Sequence, residues 1–371
     1  MKKVGFITMH LPINYGSALQ TYALQKTIDK LGYDAKIINY VYPNKIHKES
    51  MSIKGLVIKV ISIIINAVSL FPNIRQRNKY KSFYKKYYKL TDKQYDSMED
   101  LQTYPPEMDI YMTGSDQVWN SNFVKSDTSF LLGFVPVDKP KISFSSSFAV
   151  DYVLDEYKET YSKLLEQYSF IGVREQSSIE LVKRLTGKDA VLVCDPSLLL
   201  SKDEWLVMAE DARINLPKKY ILAYILGYSF NPYPYIDNII EKVQKELDLE
   251  VIYINGSKRD YFKKNSRVLK TTGPLEFLKL FANASFVITT SFHGVAFATN
   301  FGVPFYGVIK KNNKDTRIMS LLKVCELEER AVQFDGEALP PIECDMTCAQ
   351  NKLFEFRKFS MNYLKNSLRQ L

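Results

Sequence analysis

Residues 3–40 alternate in a way that leaves few folds open. Lys3 to Met9 (KVGFITM) is a short apolar run of strand length, and His10 to Ser17 is polar, with Pro12, Asn14 and Gly16. Ala18 to Leu31 then carries apolar residues at helical spacing: Leu19, Tyr22, Ala23, Leu24 and Ile28. Gly32 follows in the position where glycine commonly ends a helix. Asp34 to Tyr40 (DAKIINY) is strand-like again. Strand, helix, strand in this order requires a parallel pair joined by a right-handed crossover. The chain is therefore expected to be an α/β protein.

The alternation resumes further on. Strands are predicted at Asp109 to Thr113, Lys141 to Phe148 (with a Ser-rich end), Ser169 to Val173 and Ala190 to Cys194, with a helix at Ser177 to Leu185. Ser201 to Lys219 holds a helical stretch (DEWLVMAE) and Pro217, and reads as a junction. A second series follows, with strands at Tyr220 to Leu226, Glu250 to Asn255, Phe286 to Thr290 and Phe305 to Ile309. Helices are predicted at Tyr235 to Leu247, Pro274 to Ala282, His293 to Asn300 and Thr316 to Val324, then an amphipathic basic helix from Cys348 to Leu371. At 371 residues two domains are expected. These are residues 1–200 and 220–345, joined by 201–219, with 346–371 placed to cross back to the first. Both are Rossmann-like, and two such halves facing one another put ligands at the C-terminal ends of the strands.

An insertion at about residues 48–95 interrupts the first half. Ile53 to Phe71 is apolar and β-branched but contains Lys54, Lys59 and Asn66. After it come Arg75, Arg77, Lys79, Lys81, Lys85, Lys86 and Lys89, interleaved with Tyr80, Phe83, Tyr84, Tyr87 and Tyr88. Two lysines in its first half argue against a membrane span. The stretch reads as an amphipathic helical arm, either packed on its domain with a solvated basic face or lying on an anionic membrane surface through residues 53–93. The net charge of +9 favours anionic partners in general. The basic run is local and no recognition motif accompanies it, which argues against nucleic acid. Cys194, Cys325, Cys344 and Cys348 form no paired CxxC framework, so neither zinc nor any other metal is expected. No cleavable apolar stretch follows Met1-Lys2-Lys3. A cytoplasmic protein with reduced cysteines is expected, at the inner face of the plasma membrane if the arm docks there.

Three segments can carry chemistry. In TTSFHG (Thr289 to Gly294), main-chain N–H groups at a helix start and the Ser291 hydroxyl make an anion pocket. His293 lies at the same helix start, where it can bind phosphate or donate a proton. A helix N-terminus disfavours the imidazolium, so holding it protonated takes a neighbouring anion. In PINYGS (Pro12 to Ser17), Gly16 permits a ligand to approach the backbone and Asn14 can read hydroxyls; a plain turn is the competing reading. The segment is not GxGxxG, which argues against a dinucleotide. In GSDQVWN (Gly114 to Asn120), Asp116, Gln117 and Asn120 offer hydrogen bonds and Trp119 a ring for a sugar. Asp116 can act as a general base, and an Asx-type turn around a packed Trp is the alternative. Arg174 after one strand and Arg317 at the opening of a helix suit carboxylate or phosphate, and each alone also suits a surface ion pair.

Together, NYGSALQTYALQ (Asn14 to Gln25), GSDQVWN, IGVREQSSIELV (Ile171 to Val182), CDPSLLL (Cys194 to Leu200) and ITTSFHGVAFATNFGVPF (Ile288 to Phe305) resemble the polysaccharide pyruvyl transferase family. The resemblance implies a fold like that of the GT-B glycosyltransferases. It implies phosphoenolpyruvate as donor, a hexose of a surface polysaccharide precursor or lipid-linked saccharide as acceptor, a pyruvate ketal as product, and no cofactor. It assigns the donor to Arg174, His293 and Gly294. Ser291 stands where relatives carry an Arg, and Arg317 is the candidate replacement. His293 becomes general acid or phosphate ligand and Asp116 the base. Asn14, Tyr15, Gly16, Gln117 and Trp119 fall to the acceptor. Two other readings remain: a nucleotide-sugar glycosyltransferase on the same fold, and a non-enzymatic membrane or glycan-binding protein that relies on the arm.

Overall fold

A computed structural model of the chain describes residues 1–42, 67–227, 230–311, 316–336 and 338–371. The first half contains β1 (Lys3–Ile7), α1 (Tyr15–Lys30), β2 (Asp34–Ile37), α2 (Ala67–Tyr87), α3 (Met98–Thr103), β3 (Ile110–Thr113) and α4 (Ser121–Val124). It continues with β4 (Lys141–Ser146), α5 (Lys158–Leu165), β5 (Phe170–Val173), α6 (Gln176–Thr186) and β6 (Val191–Leu192). The second contains α7 (Lys202–Glu210), β7 (Ile221–Tyr224), α8 (Tyr235–Leu247), β8 (Val251–Ile254), β9 (Ser266–Leu269), α9 (Pro274–Asn283) and β10 (Phe286–Thr289). It ends with α10 (Phe292–Phe301), β11 (Phe305–Ile309), α11 (Thr316–Cys325), β12 (Ala331–Gln333) and α12 (Thr347–Arg369).

Each half is a six-stranded parallel sheet, ordered β2-β1-β3-β4-β5-β6 and β12-β11-β10-β7-β8-β9. The strand order reverses between β1 and β3 in one sheet and between β7 and β10 in the other. Ligand crevices of open α/β sheets form at such reversals, beyond the carboxyl ends of the strands. The central strands are short apolar runs because helices cover both of their faces; β3, β7 and β10 are buried at every residue. Two six-stranded parallel sheets flanked by helices are the GT-B-like architecture expected from the sequence. β9 and β12 were not expected. Both lie at a sheet edge and are only partly buried, so neither has the apolar run that marks an interior strand.

Helix α1 starts three residues earlier than the apolar periodicity indicates. The Asn14 side chain accepts the Ser17 N–H at 3.1 Å and caps it. Tyr15, Gly16 and Ser17 are therefore first-turn residues, not loop.

Of the arm, residues 48–66 lie outside the described residues. Over 74–93 the aromatic stripe turns inward. Tyr80 and Phe83 are buried, Tyr84 stacks on Tyr88 at 4.9 Å, and Gln76 is buried between the halves. Lys79 pairs with Glu276 and Lys86 with Asp211, both in the second half. This part of the arm is a bridge with exposed cations (Arg75, Arg77, Lys81, Lys85), not an apolar face turned to a bilayer. Among the described residues no helix is long and apolar enough to cross a membrane.

One hydrophobic core runs through both halves, from Phe6 and Leu19 through Trp205 to Phe277, Phe297 and Leu364. Helix α12 spans them. Its Arg357 donates to Leu198 O at 2.5 Å and to Asn300 Oδ1 at 2.8 Å, while Ser360 Oγ accepts the Cys194 N–H at 2.9 Å.

Candidate functional site

Four strand ends supply the site. β3 leads into Gly114-Ser115-Asp116, β5 into Arg174-Glu175, β6 towards Asp195, and β10 into Thr290 and the start of α10. The Ser-rich end of β4 holds these loops in place. Ser146 Oγ donates to Gly114 O at 3.1 Å, and Ser147 Oγ donates to Glu175 at 3.0 Å. Asp116 sits at φ 81°, a left-handed conformation that Asp tolerates better than most residues. Its carbonyl accepts from Val118 N at 2.8 Å and Ser147 N at 3.1 Å, which fixes the carboxylate's direction.

That carboxylate accepts from Ser17 Oγ at 2.7 Å and stands 3.7 Å from Arg174. Arg174 is buried, donates to Asp195 Oδ2 at 3.0 Å and lies over the Phe292 ring at 4.7 Å. Asp195 Oδ2 also accepts from Ser115 Oγ at 2.8 Å, and Oδ1 accepts from Ser197 N and Oγ at 3.0 and 2.7 Å. His293 Nε2 comes within 3.7 Å of Asp195. The cluster thus joins three residues expected from the sequence (Asp116, Arg174, His293) through two whose part was not foreseen, Asp195 and Ser17. The only sign of Asp195 was its place at a strand end before Pro196.

Burial works against both carboxylates and would raise their pKa values. For Asp116, the charges of Arg174 and His293 and the Ser17 hydrogen bond outweigh it and hold the group below its usual range. For Asp195, His293, Arg174 and Ser197 do the same, and the group is held well below. Both are ionised at neutral pH. Asp195 places its charge within 3.7 Å of the His293 ring at the start of α10. The cluster also keeps hydrogen-bonding capacity in hand. Arg174 Nε and one terminal nitrogen, and His293 Nε2, are buried without a hydrogen-bond partner. Unused buried donors are costly, and polar sites that carry them are commonly functional.

The other expected site residues are placed as follows. Ser291 is the N-cap of α10, buried, with no side-chain capping bond. Arg317 lies half-buried in the first turn of α11. Gln117 is half-buried and accepts from Asn120. Four assignments need correction. Trp119 is fully buried, its Nε1 donating to Phe130 O at 3.1 Å, so it has no face for a sugar. Tyr15 is buried and stacked on Phe277 at 4.6 Å. Its hydroxyl accepts from Gln76 at 2.9 Å and Asn255 at 3.0 Å and shares a 2.5 Å bond with Thr272, which makes it a latch between the halves. Burial pushes its phenol up to about 12. Gly294 packs α10 on β10: a Cβ there would lie 2.2 Å from Thr289 Oγ1. At Gly16 the close approach is to His293, since a Cβ would stand 2.0 Å from Nδ1.

Gly16→Ala therefore tests the closed contact between the halves. No Cβ fits at that distance, so either the start of α1 retreats or the imidazole leaves Asp195. The expected result is an overall stability loss of about 1–3 kcal/mol, the usual cost of overpacking. Unchanged thermal unfolding in this variant would mean that the halves do not close as described.

The polysaccharide pyruvyl transferase family profile matches residues 14–309. No curated protein matches the chain. Among solved structures, S. aureus MnaA with UDP is 13% identical, with TM-score 0.53 and coverage of 96% of this chain and 88% of that one. The UDP-GlcNAc 2-epimerase of Methanocaldococcus jannaschii is 14% identical, with TM-score 0.51 and coverage of 97% and 92%. That of Neisseria meningitidis, bound to UDP-GlcNAc, is 11% identical, with TM-score 0.51 and coverage of 98% and 94%. Identities this low speak to architecture alone. The match of the family profile spans most of the chain and takes in every member of the buried cluster, so the chain is a transferase that belongs to the polysaccharide pyruvyl transferase family.

Proposed function

We propose that the protein moves the pyruvyl group of phosphoenolpyruvate onto two hydroxyls of a hexose, giving a ketal and inorganic phosphate. One observation carries this reading: buried nitrogens of Arg174 and His293 that make no hydrogen bond converge on Asp195 where both halves meet. The Arg174 N–H groups that make no hydrogen bond bind the donor's carboxylate. Ser291 and the N–H groups at the start of α10 bind its phosphate. Protonated His293 gives its proton to the methylene carbon, which becomes the methyl group. One sugar hydroxyl attacks the adjacent carbon, and its proton leaves with the phosphate. The second hydroxyl then closes the ketal and returns its proton to His293, so the cycle balances. Asp116 accepts from Ser17 and orients Arg174.

The test is phosphate release from phosphoenolpyruvate across lipid-linked and free saccharides. Release that depends on a saccharide is expected. In parallel, thermal shift compares phosphoenolpyruvate with UDP- and GDP-sugars. Stabilisation by a nucleotide sugar and none by phosphoenolpyruvate would replace this reading with that of a glycosyltransferase.

A further inference from the structure

The cluster is closed on one flank. Tyr15, Gln76 and Thr272 lock together there, and Trp119 is in the core, so neither aromatic offers a face to an acceptor. On the other flank a cavity of about 830 Å³ opens between the start of α6 in the first half and α11 in the second. Gln176, Ser177 and Leu192 line one wall; Thr316, Met319 and Ser320 line the other. Its volume is that of a site enclosing a small molecule and far exceeds what a three-carbon phosphate fills. Leu192 and Ser320 also line the small space beside Arg174, Asp195 and Phe292, so cavity and cluster adjoin at these two residues.

The lining chemistry selects the ligand class. Among the described residues its charged members are one cation, Lys323, and one anion, Glu328. Ser177 Oγ and Thr316 Oγ1 are buried without hydrogen-bond partners. Ser320 Oγ accepts the Gln176 N–H at 3.1 Å and keeps its own proton to donate. Hydroxyls over a floor of Leu192, Met319 and Val324 suit a neutral ligand with hydroxyls on its edge and C–H groups on its face. We infer that this cavity is the acceptor site: it holds the hexose, whose hydroxyl pair passes Leu192 and Ser320 to reach Arg174 and His293. The word acceptor rests on the transferase reading above; the saccharide site itself does not.

The experiment measures binding, not turnover. Methyl hexopyranosides and their disaccharides are titrated by ligand-observed NMR into the full chain, and phosphoenolpyruvate and UDP are titrated by calorimetry. The same is done for Met319→Trp and Val324→Phe, which fill the cavity from separate positions, so a folding defect in one leaves the other. Saccharide affinity is expected to fall about tenfold or more in both, with phosphoenolpyruvate affinity unchanged. The inference is overturned if the filled variants bind saccharides as the wild type does, or if the wild type binds none. It is also overturned if UDP, and no saccharide, is what the filled variants lose. Wild-type saccharide binding lost on filling, with no phosphoenolpyruvate binding at all, would leave the cavity assigned and sink the donor alone.

Discussion

Arg174→Met is expected to destabilise the protein by about 3–5 kcal/mol and to remove donor binding. Arg174 is the cation between two ionised carboxylates, one of them wholly buried, and its own side chain is 1% exposed. Removing one partner of such a group strands the other, which costs more than the pair contributes. The pH dependence gives the sign. Both carboxyls have depressed folded-state pKa values, so their contribution is fully present above the unfolded value of about 3.9. It is lost as pH falls below that value towards the folded ones. In the Met variant, burial pushes the carboxyls up with less to oppose it, so protonation relieves them at milder pH. The stability gap between wild type and variant should therefore narrow between pH 7 and about 4. Urea melts at three pH values measure it. A gap that stays constant, or one below about 1 kcal/mol, would mean that Arg174 does not hold the cluster together.

His293→Ala is expected to lower turnover by about 10²–10⁴ while the protein stays folded, because a positioned general acid contributes that much. The imidazole lies 3.7 Å from Asp195, and Arg174, Ser115 and Ser197 remain to hold that carboxylate when it is removed. Donor affinity separates the two roles open to this residue. If kcat falls and phosphoenolpyruvate still binds, the imidazole transfers the proton. If affinity falls in step with turnover, it is a phosphate ligand. Near-wild-type turnover would take it out of the reaction.

What could be read from the sequence follows physical lines. Helix α8 was read to the residue: Ile236, Ile239, Ile240 and Val243 form its buried stripe, and Asp248 ends it in the left-handed region. Strand β10 is a buried apolar run, so TTSFHG could be placed at a helix start. Arg174, Asp116 and His293 stood out because each follows a strand end. Their common partner did not. Asp195 meets Arg174, 21 residues away, and His293, 98 residues away, and no local pattern encodes that meeting. Tyr15 and Trp119 show a second limit. A motif can place an aromatic ring on a turn without stating which way it points, and here both rings point inward. The arm shows a third: its alternation of cations and aromatics suits a bilayer or a protein partner equally, and tertiary packing chose the latter over residues 74–93.

The chain passes between its halves twice, once after Asp195 and once in α12, and the two passages touch. Asn300 binds Leu200 O at 3.0 Å, and Arg357 binds both Leu198 and Asn300. A single tether lets two bodies swivel freely; two adjacent tethers restrain the swivel and leave mainly a hinge bend. Any relative motion of the lobes would then be a bend about that seam. The seam thereby sets the orientation in which His293 meets Asp195.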